Sequence, residues 1–301
     1  MRTCKILTSS VLAGMLAACG GGGSSGGSAG SEPSAMAFAF PAATAERAAS
    51  PAVAQYVVSG DCTGAEVKLR GVASPATFGA QAASAVTTTT DRLLANCASA
   101  GSTSSWQTGF YDSAFLPIGD DNSSGAVAVS DSPWHVPTAV KPGDTGDIGA
   151  QTIYADSNRT KVLYHATFTF VVQPDTPTTA LAVVTATDKD PSGNVLFVEK
   201  DSYQLRPGAW SLLSVDQQYA TTSNLHLIYT PGTAAINVPA GSTVTLAAGQ
   251  LLLVPAGTSV SANGNTSNLL GQLGTIVAPT GAVVTVPATA AGPADNVVMA
   301  R

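Results

Sequence analysis

The chain has 301 residues, of which 13 are Lys or Arg, 19 are Asp or Glu and 45% are hydrophobic. A net charge of −6 argues against nucleic acid or an anionic lipid surface as an electrostatic partner, and the length is enough for a real core without calling for several domains. Residues 1–18 have the three parts of a secretory signal. Arg2 and Lys5 make a positive start, Ile6 to Ala18 is an apolar stretch too short to span a bilayer, and small residues precede the cut. Removing the segment makes the remaining chain two charges more negative.

The cut falls at Leu16-Ala17-Ala18-Cys19, directly before a Gly/Ser tract. This segment resembles bacterial lipoprotein signals, whose pattern is Leu, two small residues and then an invariant Cys; all four positions match. The resemblance implies that the Cys19 thiol receives a diacylglycerol, that cleavage makes Cys19 the first residue, and that its new amino group is acylated. Gly20 stands where Asp would favour the inner membrane, so the resemblance implies the outer membrane, on either face. Three acyl chains would hold the protein durably, each buried methylene contributing about 0.8 kcal/mol. An ordinary signal peptide with an incidental Cys is the alternative.

Residues 19–50 continue as Gly, Ser, Ala and Pro with few charges, and are expected to form a flexible tether. Within it, Gly22-Gly-Ser-Ser-Gly26 satisfies the nucleophile-elbow pattern without the strand and helix that pattern needs. Residues 51–231 hold all three Trp, all seven Tyr and all three His, and are expected to form an antiparallel β domain. Ala80 to Ala98 is rich in Ala, yet Thr87-Thr-Thr-Thr is a β-branched run, and strand is favoured over helix. From Val162 to Val172 every second residue is apolar, with His165, Thr167 and Thr169 on the other face, the period of a half-buried strand. Further strands are expected over Thr178 to Thr187, Asn194 to Leu205, Trp210 to Tyr219 and Asn224 to Thr230. Turn-rich links such as Asp190-Pro-Ser-Gly-Asn and Arg206-Pro-Gly separate them, which argues for a meander.

Residues 232–301 change character: there is no aromatic residue, and Asp295 and Arg301 are the only charges. Val238-Pro-Ala-Gly recurs as Val254-Pro-Ala-Gly, with an echo at Ala278-Pro-Thr-Gly, which suggests a short β-repeat, solenoid-like tail. A low-complexity tail with too little apolar area to order itself is the competing reading. The fold class expected overall is all-β: an antiparallel β-sandwich or partly closed barrel, followed by that tail.

Cysteine use is simple. Cys4 leaves with the signal and Cys19 is lipidated, so Cys62 and Cys97 remain and should pair in an oxidising compartment. Across Tyr56 to Thr230 the wording of the chain also resembles uncharacterised secreted lipoproteins of proteobacteria. Val57-Val-Ser-Gly-Asp-Cys62, Phe110-Tyr-Asp-Ser, Gly143-Asp-Thr-Gly-Asp-Ile-Gly149, Tyr154-Ala-Asp-Ser157 and Asp216-Gln-Gln-Tyr219 carry the likeness. It implies an extracytoplasmic domain and supplies no activity.

Candidate chemistry is sparse. Asp188, Asp190, Ser192 and Glu199, with Gly193 between, match the ligand spacing of a calcium loop. The flanks read as strands rather than helices, so Asp190-Pro-Ser-Gly-Asn194 is favoured as a hairpin turn. Calcium is the one cofactor that any spacing suggests, and none is otherwise expected. Asp144, Asp147, Asp156 and Asn158 could gather oxygen ligands but read as solvated turns. His135, His165 and His226 could meet as metal ligands, though isolated His on polar strand faces are ordinarily surface. Trp106, Tyr111, Trp134 and Trp210 could make a binding platform, and are read first as core. No motif places a Ser nucleophile with its base and oxyanion hole. The chain is therefore expected to be a non-enzymatic structural or interaction protein, anchored to the membrane through its N-terminal lipid, with an envelope protein, peptidoglycan or glycan as partner. A glycan- or peptide-binding module, with or without calcium, is the alternative, and a hydrolase comes third.

Overall fold

A computed structural model describes residues 36–41, 52–95, 97–99, 101–220 and 224–232, and in the tail 235–238, 243–246, 250–253, 259–262, 265–268, 275–278, 282–285 and 296–299. The signal segment, Cys19 and most of the expected tether lie outside the described residues. The regular elements are strands. In chain order they are β1 (Phe38–Ala39), β2 (Ala52–Gly60), β3 (Thr63–Arg70), β4 (Ser74–Phe78), β5 (Gln81–Ala95), β6 (Gly101–Tyr111), β7 (Pro117–Asn122) and β8 (Val127–Ser130). Then come β9 (Ala139–Val140), β10 (Thr145–Tyr154), β11 (Val162–Thr176), β12 (Thr179–Lys189), β13 (Val195–Arg206), β14 (Ala209–Tyr219) and β15 (His226–Pro231).

The hydrogen-bonded order is β3-β2-β15-β14-β13-β12-β11-β10-β8-β7-β6-β5-β4, and β3 also pairs with β5. The second pairing closes twelve strands into an antiparallel barrel and leaves β4 as an extra strand on β5. Of the two architectures expected from sequence, the chain takes the barrel. The Ala-rich segment after residue 80 is strand β5, as its Thr run suggests.

Contacts divide the chain into two units. The first comprises Met1–Ala52, Arg70–Thr88 and Trp106–Leu225. Its wall from β11 to β13 alternates buried and less buried residues with period two. Tyr164, Ala166, Phe168, Phe170 and Val172 are buried on β11, opposite Ala186, Val184 and Ala182 of β12. On the same buried face β13 carries Phe197, Glu199, Asp201, Tyr203 and Leu205. The β12–β13 link is a hairpin: the Asp190 backbone N–H donates to the Asn194 carbonyl at 2.9 Å, and Gly193 supplies the positive φ (89°) that the turn requires.

This unit also claims part of the segment assigned to the tether. β1 pairs with β9, and Phe38 and Phe40 are buried completely, Phe40 meeting Phe170 edge to face at 5.0 Å. The physical reason is local: Phe38-Ala-Phe40 alternates like a strand, and two aromatic rings supply the apolar area that the surrounding Ala, Ser and Pro lack.

The second unit comprises Val53–Leu69, Thr89–Ser105 and His226–Arg301. Tyr56, Val58, Val67, Leu227 and Tyr229 are buried in it. Its tail strands are β16 (Ala235–Val238), β17 (Thr243–Leu246), β18 (Gln250–Leu253), β19 (Ser259–Ala262), β20 (Asn265–Asn268), β21 (Thr275–Ala278), β22 (Ala282–Thr285) and β23 (Asn296–Met299). They form two four-stranded antiparallel sheets, β16-β23-β18-β21 and β17-β22-β19-β20, rather than stacked coils. The sequence repeat explains the alternation. Each Pro-x-Gly motif follows a strand of one sheet (β16, β18, β21) and precedes a strand of the other (β17, β19, β22).

Candidate functional site

Cys62 and Cys97 form a disulfide, with Cα atoms 5.0 Å apart. Cys62 sits in the turn between β2 and β3, and Cys97 lies just past β5, so the bond clamps one end of the β3–β5 pairing.

The calcium spacing is dispersed by the hairpin. The Asp190 carboxylate is committed to the turn, accepting from the Ser192 and Asn194 backbone N–H groups at 2.9 Å each and from Asn194 Nδ2 at 2.8 Å. Asp188 and Glu199 instead lie on the buried wall, where Gln217 Nε2 donates to Glu199 Oε2 at 2.5 Å. Asp144 and Asp156 cap turns, accepting from the backbone of Lys141 and Asn158, while Asp147 is exposed on β10. Among the described residues no group of three or more His, Cys, Asp or Glu is placed to hold a metal ion. Trp134 is buried against Phe168, and Trp210 and Tyr111 pack on Tyr203 and Phe115, which leaves Trp106 as the exposed member of that set.

His165 lies on the outer face of β11, with Nδ1 3.1 Å from the Thr152 hydroxyl, which in turn is 2.7 Å from Asp131 Oδ1. Thr152 is buried and gives its proton to Asp131. That order is opposite to the one by which a His base activates a hydroxyl.

Two features of the first unit were hidden from local spacing. One is a set of carboxylates on the buried wall. Burial, then Glu199 and Asp120, pushes the Asp188 carboxyl up to about 8. Burial pushes Asp120 up to about 7 against a hydrogen bond from Gln107. Asp188 Oδ1 has no hydrogen-bond partner, and neither has Gln151 Nε2, which is on the same buried face one strand beyond Ala166. Both folded pKa values lie above the unfolded one, so the folded state keeps protons that the unfolded state releases. Stability from these groups is complete below about pH 4 and is lost as pH rises through 7 and 8, at up to about 1.4 kcal/mol per pH unit for each unmatched proton. Urea titrations at pH 5, 6, 7 and 8 should show a falling midpoint, flattened in Asp188→Asn. A midpoint that is constant or rises over that range contradicts the assignment.

The other feature is an open cleft of about 690 Å³. Leu116, Ile118 and Val129 give it an apolar floor, and Gln81, Asp112, Asp131 and Arg159 bring polar groups to it. Phe78, at the end of β4, stacks on Phe110 at 4.8 Å and lies against β7, where a Cβ at Gly119 would overlap both its ring and the Ala128 carbonyl. Arg159 stands at the tip of the β10–β11 turn with φ of 57°, and its backbone N–H donates to the Asp156 carbonyl. Its exposed guanidinium lies over the Phe78 ring at 5.3 Å and makes no ion pair among the described residues. Asp112 Oδ1 accepts from the Ala114 and Leu116 backbone N–H groups, and Asp131 Oδ1 from Thr152, so each carboxylate keeps a second, uncommitted oxygen. Ser130 is spent on structure: its hydroxyl donates to the Pro117 carbonyl and accepts from Trp134 Nε1. The cleft thus brings charged groups together over an apolar floor. Comparison with protein-family models, with curated proteins and with solved structures found no match, so the functional reading rests on this geometry.

Proposed function

We propose that the chain is an exported protein of the cell envelope, held at the outer membrane by acylated Cys19, whose barrel acts as a binding module rather than an enzyme. The cleft beside Arg159 is the surface through which it engages an envelope protein, peptidoglycan or glycan. The observation that carries the binding role is the Arg159 guanidinium over the Phe78 ring at the cleft, without an ion pair among the described residues, in a lining that also holds two carboxylates, each with an unused oxygen. The net negative charge keeps nucleic acid out of the reading. The Gly/Ser-rich composition between Cys19 and Met36 suits a linker between the lipid and the barrel.

The test is photo-cross-linking in living cells, with a photo-reactive amino acid in place of Gln81 at the cleft or of Lys200 on the exposed face of β13. The binding role predicts a discrete adduct from position 81 that is absent from position 200. Equal labelling from both positions, or none from position 81 in an abundant and folded protein, would refute it.

A further inference from the structure

The charges in the cleft narrow the class of ligand, an inference that rests on the binding role proposed above. We propose that the cleft takes a short zwitterionic peptide, its carboxylate on Arg159 and its ammonium group on Asp131 and Asp112.

Arg159 is built as an anion receptor. The Arg159 guanidinium lies over the Phe78 ring at 5.3 Å and makes no ion pair among the described residues, and its planar fork matches a carboxylate with two parallel hydrogen bonds. Its backbone is held in the left-handed region, which a residue with a Cβ seldom adopts, by the turn that Asp156 caps. The uncommitted oxygens of Asp131 and Asp112 face the opposite requirement, a cation with several donors. A purely anionic ligand would meet two carboxylates, a purely cationic one would meet Arg159, and a neutral sugar would leave all three charges uncompensated. A peptide carrying both termini satisfies the set. A cleft of about 690 Å³ has the size of a small-ligand site, and its floor of Leu116, Ile118 and Val129 accepts an apolar side chain between the charged ends.

The experiment is calorimetric titration of the full-length lipoprotein in detergent with the tripeptide Ala-Leu-Ala, its C-terminal amide and its N-acetyl derivative. A neutral trisaccharide and inorganic phosphate serve as comparison ligands. The free tripeptide should bind at least tenfold more tightly than either blocked form. Arg159→Gln should abolish the preference over the amide, and Asp131→Asn should reduce the preference over the acetyl form. Equal affinity for the three peptides, or no binding of any of them, overturns the proposal even if neither variant folds. A discrete cross-link from position 81 together with no peptide preference removes the ligand class and leaves the binding role; loss of both removes both.

Discussion

Replacing Glu66 with Gln should lower the unfolding free energy by about 3–5 kcal/mol, the cost of removing one partner from a buried ion pair. Glu66 is 1% exposed, and its two oxygens meet Arg92 Nε at 2.6 Å and Lys68 Nζ at 3.3 Å. Burial alone would raise its pKa, but Arg92 and then Lys68 hold it below the ordinary carboxylate range. Both cations are themselves buried, Lys68 lying over the Tyr56 ring at 5.6 Å and Arg92 over the Tyr229 ring at 5.2 Å. Gln keeps the shape and some of the hydrogen bonding but removes the negative charge with which both Lys68 and Arg92 pair in the core. Urea denaturation of the full chain measures the effect, with Lys200→Gln as a surface control expected within about 0.5 kcal/mol. Because the cluster is out of solvent, the difference should persist in high salt, where surface pairs are screened. A loss under about 1 kcal/mol would show that the triad does not hold this unit together.

Opening the disulfide should cost about 3.5–4 kcal/mol, the loop-closure entropy for the sequence separation of 35 that the bond spans. The affected region is specific. The bond clamps the β2–β3 turn to the end of β5, and β3–β5 is the pairing that closes the barrel. Hydrogen exchange on the Cys62→Ala, Cys97→Ala double variant should therefore rise first in β3 and β5, while β11 to β13 keep their protection. A denaturation midpoint unchanged by reductant, with two thiols released, would show that the closing pair needs no staple.

How much of this was legible in the sequence depended on the reach of the physics involved. Alternation is a local signal, and of the five strands expected between Val162 and Thr230 four agree within two residues at each end, while β11 runs four residues past the expected Val172 to Thr176. Cys62 and Cys97 could be paired by elimination. The hairpin at Asp190 was legible because Pro, Gly and Asn have turn chemistry wherever they stand. Phe38-Ala-Phe40 carried the same alternation over three residues, too short to stand out from the Ala/Ser/Pro background that surrounds it. Asp188, Glu199 and Asp201 fall in the apolar half of a period-two pattern, which already marks them as inward-facing. The calcium-like spacing of Asp188, Asp190, Ser192 and Glu199 is a loop signal, and here Asp188 and Glu199 stand on β12 and β13 with Asp190 and Ser192 in the turn between them.

The cleft was beyond any local reading. Phe78 and Arg159 meet only because the β4–β5 hairpin and the β10–β11 turn come to one place in the first unit, and Arg159 is aimed by a left-handed backbone that no sequence motif announces. Glu66 and Lys68 share one face of β3 by alternation, but Arg92 reaches them from β5. Barrel closure likewise depends on β3 finding β5, a pairing between strands that are not consecutive.

Placement at the outer membrane rests on the proposal that Cys19 is the acylated first residue of an exported chain. Intact-mass analysis of the protein extracted from membranes tests it most directly. Acylation at Cys19 predicts a polypeptide that begins at Cys19, carries a diacylglycerol and one further acyl chain, and retains the Cys62–Cys97 disulfide; Cys19→Ser should lose the lipid mass and leave the membrane fraction. A chain that begins at Met1, or one cut at another position with no lipid mass, would contradict it.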